Sequence, residues 1–443
     1  MLAAWVALAG PAVAAVRAEE PARTTPDADV FARRQGPWTV VEPLLPARVP
    51  VPEPGWGVRP RMAGEFEHQS AILLGAGEMV RRHPRLFTSV VRRLHGHVSV
   101  IGVIATDTEH QIALRLVARA GLPANAVRWV RTSGRTMWIR DYGPLFVRMD
   151  DGSAAIVDSQ PAPDKVPWPV ALSVPGQLAL SMRLPVLPAE LDLQGGNLLT
   201  NGEGLFVTTE AAMHPNAAAG LSPRQVRERL ATRLGARAWV CLEPLRNEPT
   251  GHVDMFVTFL APNVAVVARC DAAADPVNAR ILDRAATALV GQATSLGAMQ
   301  VHRVPLPTAH DHVWRSYTNL ILANGVVLVP TYTDVDPRRE ADVLALYRSL
   351  LPGRDVVAIP ADDIIRLGGA LHCVTMNVPG YVNVRAASAL PGQGDRPAQR
   401  PYGPTGRAPA PAGGGNGTKS AAMRHNRGGE WSVGPRCPVR PGW

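Results

Sequence analysis

The chain has 443 residues, 46% of them apolar and only 5% aromatic, with a formal charge of +9. That is enough apolar mass for a substantial core built mostly of Ala, Val and Leu, and it excludes a low-complexity or collagen-like chain. Six of the nine excess positive charges fall after Arg385, so the high pI describes a tail and does not mark a nucleic-acid-binding surface on the folded part.

In chain order, residues 1–18 are an apolar run with a small-residue exit, Val16-Arg17-Ala18, and resemble a secretory leader without a basic start. They place the protein outside the cytoplasm, in the periplasm or secreted, with a cytoplasmic location as the alternative. No stable membrane insertion is expected after cleavage, because no other stretch reaches the ~18–20 apolar residues of a spanning helix. Residues 19–60 are rich in Pro and Arg and read as an arm. From 61 to 385 short apolar runs alternate with helical stretches. Strands are expected at 69–74, 98–104, 127–130, 145–147, 204–208, 255–259, 264–268, 326–329 and 356–359. Helices are expected at 84–94, 111–120, 223–234, 278–293 and 338–351. The alternation predicts an α/β fold, with room for a degenerate structural repeat. Residues 386–443 are Pro-, Gly- and Arg-rich and cannot bury apolar surface.

Four cysteines, at 241, 270, 373 and 437, have no CxxC spacing. Cys241 and Cys270 are either a bridge in an exported protein or two buried thiols. His302, His310 and His312 could be zinc ligands, but HxH without a placed third ligand is a poor pattern and no metal is expected.

Four polar, glycine-flanked segments carry chemistry: Trp138-Ile139-Arg140-Asp141-Tyr142-Gly143-Pro144, Leu193-Gln194-Gly195-Gly196-Asn197, Gly251-His252-Val253-Asp254-Met255 and Leu367-Gly368-Gly369-Ala370-Leu371-His372-Cys373. His252 and Asp254 stand two apart at the start of a strand-like run, which would put imidazole and carboxylate on one face; a solvated strand end is the plainer reading. Cys373 could be an inert buried thiol, but one Cys beside a glycine turn, with His and carboxylates elsewhere, is the makeup of a thiol nucleophile site. Asp141 could simply pair with Arg140. Trp138 is either core or a flat wall for a planar cation.

Together the pieces WIRDYGP, LQGGN, GHVD and GGALHC, in this order, resemble the agmatine deiminase and Porphyromonas-type peptidylarginine deiminase family. Glu65-Phe66-Glu67-His68-Gln69, Ser316-Tyr317-Thr318-Asn319 and Thr375-Met376-Asn377-Val378-Pro379 fit as well, so the resemblance covers about 61 to 384. It implies a five-bladed α/β propeller with pseudo-fivefold symmetry. The implied reaction is cofactor-free hydrolysis of a guanidino group to a ureido group with loss of ammonia. Cys373 is then the nucleophile, His252 the general acid/base, and Asp141 and Asp254 the guanidinium clamps. Trp138, Asn319, Gln194, Arg140 and Gly369 are the expected substrate-binding residues.

Typical agmatine deiminases carry Glu at the position of Gln194. The arginines with which the Porphyromonas enzyme holds a substrate carboxylate have no counterpart between Ser159 and Trp168, where only Lys165 is basic. The leader turns the expectation toward peptidyl or free arginine, with agmatine as the alternative. A Cys–His–Asp amidase or peptidase is the rival from another class, and it would need only one carboxylate. The partner expected is a small guanidino substrate or an arginine-containing peptide, with no nucleic acid. Oligomeric state is not legible.

Overall fold

The computed structural model describes residues 60–134, 136–159, 168–307 and 309–384. The chain divides into two units, Met1–Gly392 and Gln393–Trp443, and all described residues lie in the first. The leader, the arm, the basic tail, Lys165 and Cys437 lie outside the described residues.

Five sheets repeat one plan: two antiparallel strands, then a crossover to a third strand parallel to the second. Leu145–Arg148 pairs antiparallel with Ala154–Asp158, which pairs parallel with Val186–Pro188. Leu199–Thr200, Leu205–Thr209 and Ala238–Leu242 repeat the order. So do Val257–Ala261, Val264–Arg269 and Gln300–Pro305, and then Ile321–Ala323, Val326–Thr331 and Asp355–Pro360. The remaining sheet joins both ends of the described fold. Thr375–Pro379 pairs antiparallel with Gln69–Leu74, which pairs parallel with Ser99–Ile104, and Arg128–Arg131 adds a fourth strand.

The plan follows from local chemistry. An antiparallel pair needs only a tight turn, such as Asn324-Gly325, where Gly325 takes φ +71° at no steric cost. A parallel pair needs a long crossover, and helices supply it: Pro84–Leu94, Trp168–Met182, Pro223–Arg229, Pro276–Leu289 and Pro337–Leu350. In Pro84–Leu94 one stripe, Leu86, Phe87, Val90, Val91 and Leu94, is buried, each large side chain contributing about 1.5–3 kcal/mol of transfer free energy.

The expected helix over 223–234 is interrupted: its last turn, Leu230–Leu234, widens to a π-turn before Gly235 takes a left-handed conformation. Strand 255–259 begins two residues late, at Val257, because Val253–Met255 forms a 3-10 turn. Cys241 is exposed and Cys270 half-buried, and both are free thiols, so neither a bridge nor a buried pair is present. Among the described residues no helix is long and apolar enough to cross a membrane, and no group of three His, Cys, Asp or Glu side chains is placed to hold a metal ion.

Candidate active site

Each polar segment occupies the same place in the repeat, just before the first strand of a sheet. Asp141 lies in the one-turn helix Ile139–Tyr142 ahead of Leu145–Arg148. The 3-10 turn Gly195–Asn197 precedes Leu199–Thr200, and the turn Val253–Met255 precedes Val257–Ala261. Asn319 stands two residues before Ile321–Ala323, and Cys373 two before Thr375–Pro379. The same side of successive units therefore supplies the polar groups, and a repeated backbone explains how residues as far apart as Trp138 and Cys373 converge.

The convergence centres on Gly196. A methyl group there would lie 2.6 Å from His252 Nδ1 and 3.2 Å from both Asp141 Oδ1 and Asp254 Oδ2. Only glycine leaves that space open. Asp254 Oδ2 is in turn 3.7 Å from Cys373 Sγ. On the other side, a methyl at Gly369 would come within 2.8 Å of Cys373 Sγ and of the Trp138 ring, so the indole and the thiol share one wall. His252 and Asp254 do meet at the site, but as members of a 3-10 turn and not by strand alternation.

Cys373 is 4% exposed. Burial, with Asp254 and Asp141 nearby, raises its thiol well above the ordinary range, while a hydrogen bond from Asn319 opposes this. Asn319 Nδ2 donates to Sγ at 3.2 Å. Its Oδ1 accepts from the backbone N–H groups of Ala370 and His372, each at 3.1 Å. Asn319 thus fixes the loop that carries Cys373.

His252 Nε2 lies 2.6 Å from Gln194 Oε1. With that oxygen accepting, Nε2 carries the proton and Nδ1 is the free nitrogen, 3.7 Å from Asp141 Oδ1. The turn beneath is braced by Asn197, whose Oδ1 accepts from Thr209 N at 2.9 Å and Val253 N at 3.2 Å.

Two carboxylate oxygens, Asp141 Oδ1 and Asp254 Oδ1, are buried with no hydrogen-bond partner. Burial raises the Asp141 carboxyl above its usual range; Asp254 pushes the same way, and His252 and Arg140 pull against it. Buried acceptors without donors are costly, and an incoming group rich in N–H donors removes that cost.

Arg140 is expected at the substrate, but its guanidinium is fully committed elsewhere. It is 3% exposed, 2.5 Å from Glu65 Oε1, and donates to Asn377 Oδ1 at 3.0 Å and to the His372 carbonyl at 3.3 Å. Its place in the chain is that of a brace behind the site.

Sequence reasoning passed over Glu65 and His372. His372 lies between two carboxylates, with Nδ1 2.7 Å from Asp254 Oδ2 and Nε2 2.8 Å from Glu65 Oε2. The signal was present: a histidine inside the apolar run Ala370-Leu371-His372-Cys373-Val374 requires buried partners.

The geometry agrees with comparisons to known proteins. The model of the Porphyromonas-type peptidyl-arginine deiminase family matches residues 61–379. An agmatine deiminase of Stutzerimonas stutzeri is 28% identical over 308 residues, which is 60% of this chain and 80% of the relative. The structure of an agmatine deiminase of Enterococcus faecalis superposes with a TM-score of 0.62 at 21% identity, over 72% of this chain and 96% of that one. A Porphyromonas gingivalis structure assigned as an arginine deiminase gives 0.62 at 24% identity, over 73% and 99%. These structures share the fold. With nearly three quarters of its length matched, the chain belongs to the Porphyromonas-type peptidyl-arginine deiminase family.

Proposed function

We propose that this protein hydrolyses a guanidinium to a ureido group and ammonia, with Cys373 as covalent nucleophile. The observation that carries the reading is the pair of buried, unpartnered oxygens on Asp141 and Asp254, set beside a buried thiol. A guanidinium is planar, permanently charged and offers five N–H donors, so two carboxylates fix both its position and its plane. The rival amide hydrolase needs neither the second carboxylate nor a cation.

The resting thiol is protonated, because two carboxylates and burial oppose a thiolate. A bound cation reverses that balance and favours the reactive form. The thiol proton passes to the free Nδ1 of His252, and the thiolate attacks the guanidinium carbon, forming a C–S bond and a tetrahedral adduct. His252 transfers a proton through Nδ1 to the departing nitrogen, the C–N bond breaks, and ammonia leaves. The same imidazole then takes a proton from water, whose oxygen attacks the S-alkylthiouronium carbon. The C–S bond breaks, the ureido product departs and the thiol is restored. Guanidinium and water are consumed; ureido product and ammonium are formed. Trp138 walls the pocket, and Asn319 holds Sγ in line.

The five repeated sheets support the finer reading of a five-bladed α/β propeller, with the substrate at its axis. The substrate class is an arginine-type side chain, peptidyl or free, with agmatine as the alternative that the named relatives support.

The test is release of ammonia and ureido product from agmatine, free arginine, and peptides with internal or C-terminal arginine. Cys373→Ala and His252→Ala are expected to lower turnover by at least about 10³-fold with unchanged circular dichroism. Wild-type ammonia release by Cys373→Ala would end the covalent mechanism.

A further inference from the structure

Behind the site runs a row of alternating charge, Arg140, Glu65 and His372, which the reaction does not use directly and which ends on the clamp Asp254. Its links are 2.5 Å from Arg140 to Glu65, 2.8 Å from Glu65 to His372 Nε2 and 2.7 Å from His372 Nδ1 to Asp254. Both ring nitrogens of His372 therefore face carboxylate oxygens. An ionised carboxylate offers only lone pairs, and a neutral imidazole has a single N–H. A neutral His372 would leave one nitrogen lone pair against an oxygen lone pair in a residue that is only 3% exposed, at the cost of an unsatisfied buried group. Arg140 secures the ionised state of Glu65: burial opposes the charge, but Arg140 and His372 hold that carboxyl at about 2.

We propose that His372 is a positioning residue that acts as a buried imidazolium, keeping Asp254 ionised and holding its Oδ2 beside Gly196 and Cys373, where the guanidinium would lie; this rests on the deiminase reading above. The charged and titratable groups around the ring are Glu65, Asp254, Arg140, Asp141 and the Cys373 thiol next in the chain. Burial and Arg140 disfavour the cation, but the two carboxylate partners outweigh them and raise the imidazole above its ordinary range. The backbone that carries the ring is pinned, with His372 N donating to Asn319 and His372 O accepting from Arg140 and Thr375, and the ring is tied at both nitrogens. Asp254 itself is 1% exposed. Without the imidazolium its carboxylate would have only a thiol at 3.7 Å beside Oδ2, and burial would favour its protonated form.

Two measurements test this. In ¹⁵N-labelled wild-type protein, both His372 ring nitrogens are expected to be protonated at pH 8, the signal being assigned by its loss in His372→Gln. A neutral tautomer at that pH overturns the proposal, and this readout needs no substrate. In His372→Gln, which keeps a donor to Asp254 but removes the charge, KM should rise about ten-fold or more with kcat changed less. The acid limb of kcat/KM, which reports the free enzyme, should move up by about one pH unit. Glu65→Gln, which leaves the ring in place and removes its anchor charge, should shift the same limb by less. If His372→Gln does not fold, Glu65→Gln decides: it displaces the ring-nitrogen signal of His372, which assigns that signal in the wild type, and it moves the acid limb. An unmoved acid limb and KM in every folded variant overturn the proposal, whereas absence of wild-type turnover on all guanidino substrates overturns the deiminase reading alone.

Discussion

The two carboxylates that face each other across Gly196 are built differently. Asp254 is 1% exposed; one oxygen is tied to His372, and its backbone carbonyl accepts from Thr318 at 3.0 Å. The Asp141 side chain is 31% exposed, sits in a single helical turn, and has no partner on Oδ1 beyond His252 at 3.7 Å. One carboxylate is tethered and the other is not. On the proposed reaction placement and charge are separated: the tethered carboxylate sets where a guanidinium would lie, and the one with an unpartnered oxygen beside His252 would gain most from a bound cation.

Substitutions should expose the difference. Asp254→Asn is expected to have the largest effect, lowering kcat/KM by at least about 10³-fold. It also leaves a buried His372 cation with one anionic partner, so denaturant titration should show a loss of about 3 kcal/mol or more. Asp141→Asn should lower kcat/KM by about 10²-fold, the worth of a charge-assisted pair of hydrogen bonds, without lowering stability. The sign follows from linkage: a carboxyl raised in the folded state favours folding least once it is ionised, so its penalty is absent below the unfolded pKa and grows as pH rises through the folded value. The melting temperature of D141N should therefore match or exceed wild type at pH 7, with the gap closing toward pH 4. A loss of stability in D141N equal to that in D254N would erase the distinction.

Glu65 has the opposite sign. Its carboxyl is held at about 2, so its contribution is complete above the unfolded value near 4.5 and is lost as pH falls toward 2. Acid titration of Glu65→Gln should lack that segment of the wild-type stability curve. Gln194→Glu places a negative charge 2.6 Å from His252 Nε2, and the limb of the pH–rate profile belonging to His252 should move up by about one unit. The smallest effect is expected from Gly369→Ala: the new methyl crowds Sγ and Trp138 at 2.8 Å, lowering kcat about ten-fold by displacing the thiol, at a stability cost of about 1–3 kcal/mol.

The strands and helices were legible where the pattern was strong: Gln69–Leu74 and Pro84–Leu94 lie where a short apolar run and the 3.6-residue stripe place them. Short strands such as Leu199–Thr200 and Ile321–Ala323 carry too few residues for any period to register. In the site, Cys373, His252, Asp141 and Asp254 stood out because their segments join polar groups to glycine beside apolar strands. Arg140 was misread for a physical reason: an arginine beside a clamp residue is equally suited to touch substrate or to brace the clamp, and only three-dimensional pairing with Glu65 and Asn377 separates the two. His372 was hidden by its neighbour Cys373, and Glu65 by a distance of more than 300 residues along the chain.

That distance has a consequence for how the protein is made. The strand entered from Glu65 and the strand that leaves Cys373 are partners in one sheet, Gln69 facing Pro379. Loop closure over such a span is entropically slow, and contacts of this kind form late. Along the chain Cys373 follows the strands of the other four sheets, so their residues are made before it emerges. Cys373 therefore reaches its buried setting beside Asn319 and Asp254 only when Thr375–Pro379 pairs with Gln69–Leu74, so that completing this sheet and assembling the site are one event.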